Sequence, residues 1–254
     1  MAASYSTSEL MVVRAARELL DGEVVFVGIG LPNLACNLAR HTHAPNLTLI
    51  YESGAVGSVP DRLPLSIGDP CLVKGAAAVC SIFDVFQYYL VNEKIDVGFL
   101  GAAQMDRYGN INTTVIGNYK NPKVRLPGSG GACEMAIHAK RVVIIATQNL
   151  KTFPETVDFI TSPGQKANGK TRKDWGLPGG GPTLLITNLG VFKFDSESGE
   201  IFLTEIHPGV ERSDVVSTIG WNLQMAGDVT ETPEPTADEL RIIREELDPD
   251  HLYI

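Results

Sequence analysis

Apolar positions along the chain fall into two textures, helical spacing and short unbroken runs. Leu10, Val13, Ala16 and Leu20 recur at helical spacing behind Ser6-Thr7-Ser8-Glu9. That tetrad is a capping box, with Ser6 as N-cap and Glu9 three residues on, and Asp21-Gly22 closes the element. E-V-V-F-V-G-I-G follows as a continuous apolar run, the mark of a strand covered on both faces. L-P-N-L-A-C-N-L-A-R then opens a second helix, and N-L-T-L-I-Y reads as the next strand. Farther on, I-F-D-V-F-Q-Y-Y-L predicts a helix, while I-D-V-G-F-L-G and R-V-V-I-I-A-T predict strands. This alternation predicts an α/β fold with an open, mainly parallel sheet and helices on both faces. Near the C-terminus T-L-L-I-T, V-F-K-F and E-I-F-L-T-E-I are separated by N-L-G and D-S-E-S-G turns, which predicts a small antiparallel excursion. A second capping box, Thr236-Ala237-Asp238-Glu239, opens a final helix ending near Asp248-Pro249. Residues 166–182, with four cations and five glycines, read as an exposed excursion, and residues 1–254 read as a single domain.

Composition narrows the function classes. With 44% hydrophobic and 20% charged residues the chain has the balance of an ordinary globular protein. A net charge of −9 makes nucleic acid and anionic membrane surfaces poor partners, so an anionic substrate needs locally placed cations. Cys36, Cys71, Cys80 and Cys133 show no C-x-x-C spacing and read as reduced, buried thiols, which points to a cytoplasmic protein without structural zinc. No secretory leader and no apolar span are expected.

Several patterns carry possible chemistry. Gly28-Ile29-Gly30 lies between a strand and a helix, and Glu52 comes 22 positions after Gly30, as a ribose ligand would in a dinucleotide fingerprint. Asn33 stands at the third glycine position, however, and Pro32 interrupts the turn. His41-Thr42-His43 is either a metal-binding pair or a solvated helix end. Gly128-Ser129-Gly130-Gly131-Ala132 completes no hydrolase elbow, yet such a run exposes successive N–H groups that can cradle an oxyanion. Lys120, Lys123 and Arg125 lie just upstream, either as a solvated basic stretch or as charge for a phosphate-bearing substrate. Gln104, Asn110 and Asn112 follow a strand at the edge where ligands collect in open sheets; turn chemistry is the other reading. Glu52 itself reads as a turn cap or cation partner, a general base, or a nucleophile toward an activated acyl group. Spacing does not choose among these.

V-G-I-G-L-P, Y-E-S-G, S-I-G-D, F-L-G-A-A-Q-M-D-R-Y-G-N-I-N and L-P-G-S-G-G-A occur in the order found in β-subunits of family I coenzyme A transferases. T-S-P-G-Q, G-L-P-G-G-G-P, H-P-G-V and I-G-W extend the match from about residue 5 to the final helix. The chain resembles the glutaconate CoA-transferase branch of that family. The resemblance implies a three-layer CoA-transferase fold and transfer of CoA from succinyl-CoA to a dicarboxylate. Y-E-S-G-A-V-G, L-P-L-S-I-G-D and N-T-T-V-I-G-N-Y-K-N-P-K-V-R-L-P-G point to 3-oxoadipate as acceptor, with glutaconate as the alternative. It makes Glu52 the nucleophile that forms an acyl anhydride and then a glutamyl-CoA thioester. Gly130 and Gly131 become oxyanion donors, and Gln104 and Asn112 groups that orient the acyl or pantetheine portion. CoA enters as substrate, and no cofactor is expected. The resemblance further implies an α-subunit partner, in an α2β2 assembly whose active site lies between the halves. Relatives that became acyl-CoA hydrolases or decarboxylases supply the rival reading, against which the intact Glu52 argues. A non-catalytic binding role is a third.

Overall fold

The computed structural model describes residues 4–254. They divide into two compact units, residues up to Phe99 together with Pro233–Ile254, and Leu100–Thr232.

In the first unit helix α1 (Thr7–Ala16) begins at the expected capping box: Ser6 accepts from the Glu9 N–H, and Glu9 accepts from the Ser6 N–H. Strand β1 (Val24–Phe26), helix α2 (Leu31–His41) and strand β2 (Thr48–Ile50) follow the predicted order. Strands β3 (Ala55–Val56) and β4 (Ala78–Val79) fold back antiparallel on β2. Helix α3 (Ile82–Asp84) runs on into a π-helical segment, Val85–Leu90, and leads to strand β5 (Val97–Leu100). β5, β1 and β2 pair in parallel, with Val25 opposite both Val97 and Leu49. Their interior side chains, Val25, Phe26, Leu49, Ile50 and Val97, are buried, and α1 packs against α2. Burial of such runs at roughly 25 cal/mol per Å² is the main force holding the unit.

The second unit begins with two small hairpins, β6 (Gln104–Met105) with β7 (Ile111–Asn112) and β8 (Val115–Asn118) with β9 (Asn121–Arg125). Helix α4 (Ala132–His138) precedes strand β10 (Arg141–Ala146). A minor hairpin, β11 (Lys166–Ala167) with β12 (Lys170–Thr171), precedes β13 (Pro182–Thr187), β14 (Gly190–Phe194) and β15 (Ile201–Ile206). β13 pairs parallel with β10, whereas β13, β14 and β15 form the antiparallel excursion that the turn-separated apolar runs predict. Helix α5 (Arg212–Ser217) leads to β16 (Gln224–Glu231), parallel to β15.

Helix α6 (Ala237–Arg241), extended by a π-helical segment Ile242–Leu247, returns to the first unit behind its own capping box at Thr236 and Glu239. Two forked ion pairs fasten it. Arg17 donates to both Glu239 oxygens at 2.9 and 2.7 Å, and Arg244 donates to both oxygens of Glu9 at 2.5 and 2.9 Å. No helix among the described residues is long and apolar enough to cross a membrane. All four cysteines are free, but only Cys36 is buried; Cys71, Cys80 and Cys133 are partly exposed, which corrects the expectation of four buried thiols.

Candidate active site

Glu52 stands at the tip of the β2–β3 connection. Gly54 N–H donates to the Tyr51 carbonyl at 2.9 Å, and Tyr51 N–H donates to the Ala55 carbonyl at 2.9 Å. Glu52 and Ser53 are thus the two central residues of a tight turn at the carboxyl end of a parallel strand. Gly54 has φ of +109°, and a methyl group there would overlap the Cys80 carbonyl. Only glycine meets both demands. Cys80 N–H donates back to the Gly54 carbonyl at 3.0 Å, so β4 braces the turn from behind.

The other brace comes from α2. Tyr51 has no exposed surface, and its hydroxyl accepts from Asn33 Nδ2 at 2.8 Å. Burial pushes the Tyr51 phenol well up, so it stays protonated. Asn33 is itself fully buried, and its Oδ1 accepts from Asn37 Nδ2 at 3.1 Å. The residue that spoils a dinucleotide fingerprint is therefore a support for the strand end bearing Glu52. Val27 N–H donates to the Ile50 carbonyl at 3.1 Å, so Gly28-Ile29-Gly30 leaves the sheet alongside this turn. Between these braces Glu52 is half-exposed, and its carboxylate makes no hydrogen bond or ion pair with any described residue. The capping and cation-partner readings lack a partner here. The free carboxylate suits nucleophilic attack.

In the second unit the glycine loop is anchored at its base and open at its centre. Gly128 N–H donates to the Thr113 carbonyl at 2.8 Å, and Thr113 Oγ1 donates to the Gly128 carbonyl at 2.8 Å. Ala132 N–H donates to the Ser129 carbonyl, and Cys133 N–H to Ser129 Oγ. The N–H groups of Gly130 and Gly131 find no acceptor among the described residues. With φ of +49° at Gly130, the loop presents two successive free donors ahead of α4.

Gln104 and Asn112 are spent on each other. Asn112 Nδ2 donates to Gln104 Oε1 at 2.7 Å and to the Val115 carbonyl at 2.6 Å. Gln104 Nε2 donates to Asp158 Oδ2 at 3.0 Å, and Gln104 Oε1 also accepts the Asp158 N–H. Both amides are buried. Their geometry accounts for them as struts of the chain leading to Thr113. Asn110 is likewise internal, donating to Asp106 and to the Lys166 carbonyl. His41 Nδ1–H donates to the Asn37 carbonyl and His43 Nε2–H to the Leu19 carbonyl, so this pair is occupied locally rather than aimed at a shared metal.

Arg172 is a site residue that sequence reading missed. The stretch 166–182 is not wholly exposed: Arg172 is buried, with its guanidinium donating to the carbonyls of Ala136, Ile137, Gly164 and Gly179 at 2.8 to 3.2 Å. Burial pushes its pKa down to about 10, which leaves it charged at neutral pH. Gly179 and Gly180 lie against the carbonyls of Ile137, Ala139 and Lys140, where no Cβ fits. G-L-P-G-G-G-P therefore clamps the C-terminal end of α4, and with it the helix that the glycine loop enters.

A coenzyme A transferase family model matches residues 8–218, a span that includes both the Glu52 turn and the glycine loop. The chain belongs to the coenzyme A transferase family. Within it, the chain is 52% identical over 241 residues to the β-subunit of 3-oxoadipate CoA-transferase from Pseudomonas knackmussii, covering 95% of this chain and 93% of that one. It is 33% identical to the β-subunit of glutaconate CoA-transferase from Acidaminococcus fermentans, across 99% and 96% of the two chains. The crystal structure of glutaconate CoA-transferase from that organism superposes with a TM-score of 0.92 at 31% identity, covering 100% and 99%. Both relatives are named as subunits, and this CoA-transferase chain accordingly has an α-subunit as its partner.

Proposed function

We propose that this CoA-transferase chain works with its α-subunit to move CoA from succinyl-CoA to 3-oxoadipate, using Glu52 as nucleophile. A Glu52 oxygen attacks the thioester carbonyl, the C–S bond breaks, and CoA leaves as thiolate from an acyl-glutamyl anhydride. The thiolate then attacks the Glu52 carbonyl carbon, and succinate departs with the bridging oxygen, leaving a glutamyl-CoA thioester. The acceptor carboxylate repeats both steps in reverse, and Glu52 returns to its starting carboxylate. No net proton, electron or cofactor is needed. Carboxylates are weak nucleophiles, so fixed orientation and stabilisation of each tetrahedral oxyanion lower the barrier. Gly130 and Gly131 N–H groups are the donors assigned to that oxyanion. The assembly is α2β2 and cytoplasmic.

The observation that carries this reading is the unpartnered Glu52 carboxylate held on a rigid turn. Similarity to the 3-oxoadipate enzyme's β-subunit supports the acceptor. Incubating the enzyme assembled with its α-subunit with succinyl-CoA and equal concentrations of 3-oxoadipate and glutaconate tests the choice. The expected product is 3-oxoadipyl-CoA in large excess. Predominant glutaconyl-CoA would overturn the acceptor, and free CoA accumulating without either ester would identify a hydrolase.

A further inference from the structure

We propose that the β8–β9 hairpin binds the phosphates at the nucleotide end of coenzyme A, with Lys120 and Lys123 as the charge contacts. This rests on the reading of Gly130 and Gly131 as donors to the thioester, and gives that substrate's far end a place.

Charge is the first ground. The chain carries −9, so a ligand with a diphosphate and a 3′-phosphate is repelled unless free cations meet it locally. Arg14, Arg17, Arg62, Arg107, Arg241 and Arg244 are all committed to carboxylates. Lys120 and Lys123 are exposed and make no ion pair among the described residues. A lysine ammonium is a compact point charge suited to phosphate oxygens.

Rigidity is the second. Gly117 N–H donates to Asp158 Oδ2 at 2.9 Å, and the Tyr119 ring stacks on Phe159 with centroids 5.4 Å apart. Arg125 lies 5.1 Å over the same Tyr119 ring and donates to the Tyr119 carbonyl at 3.1 Å. Strand alternation puts Lys123 on the same face of β9 as Arg125. An exposed hairpin held this way loses little freedom when a ligand docks.

Distance is the third. The hairpin base is tied to the glycine loop, through the Thr113–Gly128 pair and by Leu126 N–H donating to the Thr114 carbonyl at 3.0 Å. Lys123 stands five residues before Gly128 on largely extended chain, a reach of about 16 Å. Thirteen bonds separate the sulfur of CoA from its first phosphorus, the span of four to five extended residues, or about 15 Å. The ruler fits the pantetheine arm. It excludes the acceptor's second carboxylate, which lies only a few bonds from the reacting one.

Calorimetric titration of CoA, 3′-dephospho-CoA and pantetheine into the enzyme assembled with its α-subunit tests the proposal. Wild type, Lys120→Ala/Lys123→Ala and Lys120→Arg/Lys123→Arg are compared. The alanine pair is expected to weaken CoA on the order of 20- to 30-fold, about fivefold per exposed charge contact. The ratio of CoA to pantetheine affinity falls with it, the salt dependence flattens, and the arginine pair restores both. Loss that persists with 3′-dephospho-CoA assigns the contact to the diphosphate, and loss confined to CoA assigns it to the 3′-phosphate. The proposal is overturned if the alanine pair binds CoA within twofold of a wild type that itself binds CoA. If the wild type binds no CoA, the functional reading fails first and this one falls with it.

Discussion

Tyr51 has no exposed surface, Glu52 beside it is half-exposed, and Ser53 is exposed. That gradient across three residues exists because Gly54 turns the chain under the Cys80 carbonyl while Asn33 holds the tyrosine hydroxyl from the other side. Gly54→Ala is expected to cost about 3 kcal/mol or more, since the methyl meets backbone and the left-handed φ is strained as well. Chemical denaturation measures the loss, and transfer activity should fall with it. Tyr51→Phe should cost only about 1–2 kcal/mol, the share of one buried hydrogen bond whose donor is left poorly paired. Activity in that variant should persist once stability is allowed for. Equal damage from both substitutions would mean that the turn is not what positions Glu52.

Among the elements, α4 is fixed from its far end. Arg172 supplies donors to the last carbonyls of that helix, so Arg172→Met strands several buried acceptors and is expected to cost about 2–4 kcal/mol. Arg172→Lys should recover part of it, because an ammonium reaches fewer of those carbonyls. Denaturant midpoints at constant m-value check both. The C-terminal helix adds a pH dependence. Burial raises the Glu9 carboxyl, but Arg244 and the Ser6 N–H more than offset it, and the group sits below its ordinary 4.5. Glu239 follows the same pattern, with Arg17 and Thr236 overcoming burial. A folded pKa below the unfolded one contributes stability that is full above about 4.5 and is lost as pH falls through the folded value. Amide exchange in residues 237–247 should therefore accelerate on acidification before the sheets open.

Much of this is legible in the sequence where local rules apply. Both capping boxes, the parallel run of apolar strands and the turn-separated antiparallel strands follow from spacing alone. Long-range pairing does not. Asn33 looks like a flaw in a glycine pattern, and only the fold brings its amide to Tyr51, 18 positions away. Gln104 and Asn112 are readable as hydrogen-bonding groups at a strand end, but not as partners for one another. Arg172 is lost among neighbouring lysines because composition reports the average of a segment, and one guanidinium can be buried wherever carbonyls converge on it.

At the scale of the whole molecule, a match that spans nearly the full length of a relative's β-subunit also says what this chain lacks, namely the α-subunit. Purified alone, the chain is expected to show no CoA transfer, and addition of the α-subunit should raise activity at least a hundredfold in a coupled acyl-CoA assay. Appreciable turnover by the single chain would contradict that division of labour. The most direct test of the whole account lies at Glu52. The assembled enzyme is incubated with succinyl-CoA without acceptor, trapped with hydroxylamine or borohydride, digested, and mapped by mass spectrometry. The expected result is a modification confined to the peptide carrying Glu52, absent from Glu52→Gln, whose kcat falls by about a thousandfold or more. An unmodified Glu52 peptide together with full transfer activity in Glu52→Gln would contradict the account.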